Sequence, residues 1–365
     1  MAVIIFVIVL GILVFVHELG HFLAAKKAGV RVDEFGLGYP PRAVKIGKKW
    51  GTLFTLNWIP FGGFVKIWGE NYEEKDDDRK ETGIGKKFTN VSKKWQAAIL
   101  AAGVIFNILF AWFLFSVGFM IGLPTSIDSI YGNEVKNSSL TIINVLDDSP
   151  AKEAGLKSGD KIKMLSSENE FLQDINAEKV SQFINQSQNK ISIEVDRGGK
   201  ILNFDILPNA EIETGRKIIG INMNMVGTLT LPLHKAIYEG GRATIDLTQV
   251  MVVGISNLIY DVFKGQADVS NIAGPVGIAG LVGDASKLGF AYLISFTALI
   301  SINLAILNLL PIPALDGGRI LFVAIEGIIK RPINPMVASN VNTVGFFILI
   351  GLMLIVTYRD ILRLF

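Results

Sequence analysis

The stretch Val16-His17-Glu18-Leu19-Gly20-His21 lies inside one apolar run, Met1 to Ala25, and its reading decides the fold. A run of that length spans a bilayer as a helix. A secretory signal peptide carries positive charge before its apolar stretch. Here nothing basic precedes the run, while Lys26 and Lys27 follow it, so the segment is expected to be an uncleaved span. Two histidines four apart on a helix project from one face, one turn apart, and both imidazoles can reach one metal ion. Neutral imidazole suits zinc. Glu18 stands beside the first histidine, placed to take a proton from a metal-activated water. Ionisable groups in a spanning helix are expensive in lipid and mark function by default.

Composition agrees with a membrane class. Half of the 365 residues are hydrophobic and the mean hydropathy is positive. No long basic stripe interleaves with aromatics, so nucleic acid is not expected as a partner. The chain has no cysteine, which excludes disulfides and cysteine-based zinc or redox sites. Its three histidines are His17, His21 and His234.

Further spans are expected at 97–123, 288–310 and 344–358, four in all. The stretch 231–263 carries Lys235, Glu239, Arg242, Asp246 and Asp261 and reads as an amphipathic helix on the membrane surface or against the bundle. The segment 26–94 holds 15 Lys and Arg and should be cytoplasmic. The amino terminus and the region after Leu123 are then outside, and the 319–331 loop inside. Arg359 and Arg363 fall outside on this topology, against the rule. The run 70–80 reads as a solvated charged loop.

Residues 124–226 form a soluble αβ insertion, followed by a connector at 227–287 and a second membrane part at 288–365. Within the insertion, 140–146 and 161–165 read as strands. Ser149-Pro150-Ala151 opens a short helix that Gly155 ends, and 176–186 is helical in pattern. Arg197-Gly198-Gly199-Lys200 is a hairpin turn between 191–195 and 201–207. The stretch 218–221 is one more strand. In the first membrane part, 51–66 is rich in strand formers, with Pro60 and Gly62-Gly63 at a bend, and a hairpin dipping into the membrane face is expected there.

Catalytic zinc needs a third protein ligand and an open position. His234 reads as a solvated or core residue. Asp316 stands in Asn308-Leu309-Leu310-Pro311-Ile312-Pro313-Ala314-Leu315-Asp316-Gly317-Gly318, where the prolines break the helix and the glycines let backbone pass closely. It can serve as that ligand, or as a cap for the helix that follows.

His17-Glu18-Leu19-Gly20-His21 in the first span, with Leu315-Asp316-Gly317 after the third, resembles the site-2 protease family of intramembrane zinc metalloproteases. The stretches 271–279 and 298–318 are similar to its bacterial members. The insertion resembles a PDZ domain, through Ser149 to Leu156 and Lys157-Ser158-Gly159-Asp160, with room for one such domain. The resemblance implies one zinc ion per chain, held by His17, His21 and Asp316, with Glu18 as general base and then acid. It implies that Asn308 holds the substrate backbone or the developing oxyanion. The hairpin at 51–66, with Gly62 and Gly63, would offer a strand edge to an extended substrate. A peptide C-terminus would lie between the 218–223 strand, with Ile218, Gly220 and Ile221, and the 177–186 helix, unless the domain acts only as a steric filter. The implied substrates are membrane-spanning proteins already shortened outside, such as anti-sigma factors or remnant signal peptides. The implied setting is the bacterial inner membrane, with the PDZ domain extracytoplasmic and the zinc site toward the cytoplasm. Two rival readings are a non-proteolytic PDZ adaptor and a metal transporter. Intact HExxH and Asp316 speak against the first, and the single polar cluster speaks against the second.

Overall fold

The computed structural model describes residues 1–70, 85–128, 131–146, 148–167, 170–210, 217–266 and 273–362. The charge run beyond Glu70, the start of the 271–279 stretch and Arg363 lie outside the described residues. Nine helices are described: α1 Ala2–Lys27, α2 Lys93–Ile121, α3 Pro150–Ala154, α4 Ala177–Gln186, α5 Leu233–Lys264, α6 Pro275–Leu288, α7 Phe290–Leu309, α8 Asp316–Ile329 and α9 Pro335–Leu362.

Five of them, α1, α2, α5, α7 and α9, are long and apolar enough to cross a membrane. Four correspond to the expected spans, and α9 begins well before the apolar stretch that announced it. The fifth is α5, expected along the surface.

The chain divides into two units. The first holds residues 1–116, 237–284 and 296–365. In α1 the buried positions Val9, Leu13, His17 and Gly20 form one stripe at helical spacing, and Ile4, Ile8, Ile12 and Phe15 are exposed on other faces. α1 thus buries its histidines and presents hydrocarbon outward, as a bilayer requires. Gly20 lets α1 and α2 meet closely, since a Cβ there would lie 2.4 Å from the Ala102 carbonyl oxygen. Asp360 of α9 accepts the backbone N–H groups of Gly274 and Gly277 at 3.1 and 2.7 Å, which caps α6.

The stretch expected as a hairpin over 51–66 is one arm of a larger β structure, Val32–Lys49 paired with Thr52–Ile67. Both arms bend. Leu37 faces Gly63 on one side and Leu56 on the other, and Val44 also faces Leu56. The 32–39 run therefore lies between 63–67 and 52–57, with 42–49 outermost. Phe22, Phe35 and Phe54 pack edge-on or tilted and fasten this sheet to α1.

The second unit holds residues 117–236 and 285–295. Its sheet runs in the order Leu123–Ser126, Ile221–Leu229, Lys136–Val145, Lys161–Ser166, Ile191–Arg197, Lys200–Ile206, all antiparallel. Phe171–Leu172 pairs off Lys161–Ser166. Ser149 caps α3, Gly155 ends it at φ +91°, and Asn176 caps α4. The core gathers Leu140, Ile142, Ile162, Leu165, Val180, Ile184, Ile191, Ile193 and Ile206. The turn at 157–160 is fixed by Asp160, which is fully buried and accepts two bonds from Arg197 and one from the Lys157 N–H. The expected single strand at 218–221 is broken. Lys217–Ile218 pairs with Asn209–Ala210, Gly220 takes φ +78°, and the sheet strand starts at Ile221. The positive φ turns the chain at Gly220, and a Cβ there would meet the Ser149 side chain at 2.3 Å, so the turn takes glycine.

Candidate active site

α1 carries both histidines on its buried stripe. Their Nε2 atoms lie 3.1 Å apart. Asp316 reaches them from the first turn of α8, its Oδ2 being 2.9 Å from His17 Nε2 and 3.3 Å from His21 Nε2. Asp316 does not cap α8, whose N-cap position is Leu315. Among the described residues these three form the one group of side chains arranged to hold a metal ion.

The broken segment ahead of α8 makes that reach feasible. After α7, Ala314 takes φ +75°, and the backbone folds over the start of α8. A Cβ at Gly317 would lie 2.1 Å from the Leu309 carbonyl oxygen, and one at Gly318 would lie 2.3 Å from that of Ile312. Only glycine fits either position. The far end of α8 is tied down by Glu326, which is buried and accepts from Lys93 Nζ at 2.5 Å and from the Ile333 N–H at 2.9 Å. Arg319, one turn past Asp316, pairs with Glu70 at the end of the sheet.

The donor set fits zinc. Two imidazole nitrogens and one carboxylate oxygen at 2.9–3.3 Å separation match the edge of a coordination tetrahedron, about 3.3 Å for metal–ligand lengths of about 2.0 Å. Three such donors would leave a fourth position open, as catalytic rather than structural zinc requires.

Glu18 stands beside this triangle. The backbone of Val65 in the 63–67 run comes close to the Glu18 carboxylate. A Cβ at Gly63 would come within 3.4 Å of the Glu18 side chain, so this run passes directly over the glutamate. Gly62, at φ +92°, packs against the Tyr39 ring. No further strand pairs with the outer edge of 63–67 among the described residues.

Asn308 is on the last turn of α7, half-buried, with no hydrogen bond among the described residues. Ile218, Gly220 and Ile221 are in the second unit, near α4. His234 is exposed at the start of α5 and belongs to no metal group.

One contributor escapes sequence reasoning. α2 presents Ile99, Gly103 and Asn107, four residues apart, to the two imidazoles. His21 Nδ1 lies 2.8 Å from the Ile99 carbonyl oxygen, and His17 Nδ1 lies 3.3 Å from Asn107 Nδ2. Between them, a Cβ on Gly103 would overlap both rings. The signal was present in the sequence: an asparagine within an apolar span, four residues after a glycine.

Comparison with known proteins finds relatives over the whole chain. The regulator of sigma-W protease RasP of Bacillus subtilis is 31% identical over an alignment covering 100% of this chain and 99% of its own. A Clostridium perfringens protein named as a zinc metalloprotease is 32% identical, covering 96% of this chain and 95% of its own. Among solved structures, the PDZ domain of the SdrC-like protein of Listeria monocytogenes aligns with 24% of this chain and 90% of its own, at 23% identity and a TM-score of 0.21. The profile of Peptidase family M50 matches residues 5–352. The chain is a zinc metalloprotease belonging to peptidase family M50, the site-2 proteases.

Proposed function

We propose that this protein is an endopeptidase that cuts within transmembrane segments of membrane proteins, using one zinc ion held by His17, His21 and Asp316. The observation that carries this reading is the triangle of ligand atoms with Glu18 beside it, on a helix long enough to span the bilayer. Zinc bound there would supply Lewis acidity, activating water for attack and polarising the scissile carbonyl. The chain's own residues do the rest. Glu18 takes the proton of the attacking water and passes it to the leaving amine. The 63–65 edge, which pairs with no further strand among the described residues, binds the unwound substrate as an added strand, which exposes an amide that helical hydrogen bonds would shield. Gly63, without a side chain, leaves room for that strand beside Glu18. Asn308, with its carboxamide unengaged, is the candidate donor to substrate backbone or oxyanion.

Helix directions support a topology for this reading. His21 meets Ile99 while His17 meets Asn107, so α1 and α2 run antiparallel. Ser301 of α7 donates to the Asn107 carbonyl, and Ile294 lies beside Gly118, so α7 runs against α2 and with α1. A chain that leaves α2 and re-enters as α7 must then return to the face it left. A single crossing by α5 would break that parity, which supports four spans with α5 along the surface. The basic loop 26–94 sets this scheme with the amino terminus and the inserted domain extracytoplasmic and the zinc site toward the cytoplasm of a bacterial inner membrane.

The RasP relative is named for regulating sigma-W, which supports membrane-anchored anti-sigma factors as a substrate class, with remnant signal peptides as another. On the side away from 141–145, residues 221–224 of the inserted PDZ domain have no strand partner among the described residues, and α4 lies against that strand, which supports binding of a peptide C-terminus beside Ile218, Gly220 and Ile221. The test is cleavage of a purified single-span substrate in detergent by the parent protein. A chelator should abolish cleavage and zinc should restore it. Cleavage that persists in chelator contradicts the reading.

A further inference from the structure

Asn107 is fully buried in α2, and its Oδ1 has no hydrogen-bond partner among the described residues. An orphaned buried acceptor costs about 1–3 kcal/mol. Its other polar groups are engaged. The backbone carbonyl accepts Ser301 Oγ at 2.8 Å, and the amide end of the side chain faces His17 Nδ1 at 3.3 Å. Nothing in the proposed reaction uses this residue.

We propose that Asn107 is a positioning residue that holds His17 with its ring proton on Nδ1, so that Nε2 keeps its lone pair for the metal, the accepting atom being Asn107 Oδ1. This rests on the zinc reading above. His17 and His21 both direct Nε2 at Asp316, so both must carry their proton on Nδ1 when they ligate. For His21 the partner is the Ile99 carbonyl, which can only accept, and the tautomer is fixed. For His17 the partner is an amide, which has an accepting and a donating end. With Nδ2 toward the ring, Nδ1 must accept, and the ring proton moves to Nε2 and closes the ligand position. A half-turn of the amide exchanges the two ends without moving other atoms. Oδ1 then takes the Nδ1–H. One rotation gives both histidines the same tautomer and gives the orphaned oxygen its donor. The two orienting groups, eight residues apart on one face of α2, then do the same work for two ligands four apart on α1.

The test is zinc affinity, measured by chelator competition on the full-length detergent-solubilised protein, with Asn107→Leu and Asn107→Asp. Aspartate can only accept. Asn107→Asp should hold zinc within about threefold of the parent, whereas Asn107→Leu, which has no acceptor, should bind about 10- to 100-fold more weakly. If Asn107→Asp loses affinity, the donor end is the one that matters and the proposal is overturned. That variant decides the question even if Asn107→Leu does not fold. Parent-like affinity in a folded Asn107→Leu would overturn it equally. A parent that binds no zinc would instead defeat the reading on which the proposal rests.

Discussion

Gly103 of α2 lies against His21 of α1 so closely that a Cβ would stand 2.4 Å from Nε2, and 2.8 Å from Nε2 of His17. The contact involves ring atoms that must converge on one point, so the rings cannot yield without spoiling the ligand triangle. Gly103→Ala should lower zinc affinity by about tenfold or more, since overpacking here costs about 1–3 kcal/mol. Helix content by circular dichroism should be unchanged. Zinc retained at the parent level would show that the helices can part without disturbing the site.

Gly317 and Gly327 share α8 but differ in surroundings. A Cβ at Gly317 meets two backbone carbonyls at 2.1 and 2.3 Å, while one at Gly327 meets nothing within 4 Å. Gly317→Ala should displace Asp316 and reduce zinc content. Gly327→Ala should leave zinc unchanged and stabilise the helix by up to about 1 kcal/mol. Metal analysis and thermal unfolding of the two proteins separate these outcomes.

Glu18 is adjacent to the metal triangle but outside it. Glu18→Gln should keep zinc and lose cleavage by about 10²- to 10⁴-fold, the range for losing a general acid–base group. Loss of zinc in this variant would mean that Glu18 serves the metal and not the proton transfer.

Asp160 is the buried anchor of the second unit, with Arg197 and the Lys157 N–H as donors. Asp160→Ala leaves Arg197 facing a buried gap and should destabilise this unit by about 3–5 kcal/mol. A protease-sensitivity assay on the full chain should show earlier cleavage within 117–236. Zinc content should not change, because no ligand lies in that unit.

The parts legible in the sequence are those with a local signature. The i, i+4 spacing of His17 and His21 fixes their common face, and Pro311 and Pro313 announce a broken helix whose glycines the close carbonyls explain. Ser149, Gly155 and the Gly198-Gly199 turn read directly as caps and a hairpin. Other features depend on partners far away in the chain. Asn107 looks like one polar residue in an apolar span until α1 is beside it. The 51–66 stretch has the residues of a hairpin, but its bend lets both halves pair with 32–39, which no local pattern reveals. The strand expected through Gly220 breaks at a positive φ, and Ser149, 71 positions earlier, fills the space a side chain there would need, which only the packed structure shows. The length and hydropathy of α5 allow a crossing, and its charged residues together with the directions of α1, α2 and α7 argue against it.

The central claim is that Asp316 completes a zinc site begun by His17 and His21, and zinc titration of the purified parent and Asp316→Ala proteins tests it most directly. The parent should bind one zinc per chain, and removing one of three ligands should weaken binding by about 100-fold or more. If both proteins hold one equivalent with equal affinity, Asp316 is not a ligand and the account of the site is wrong.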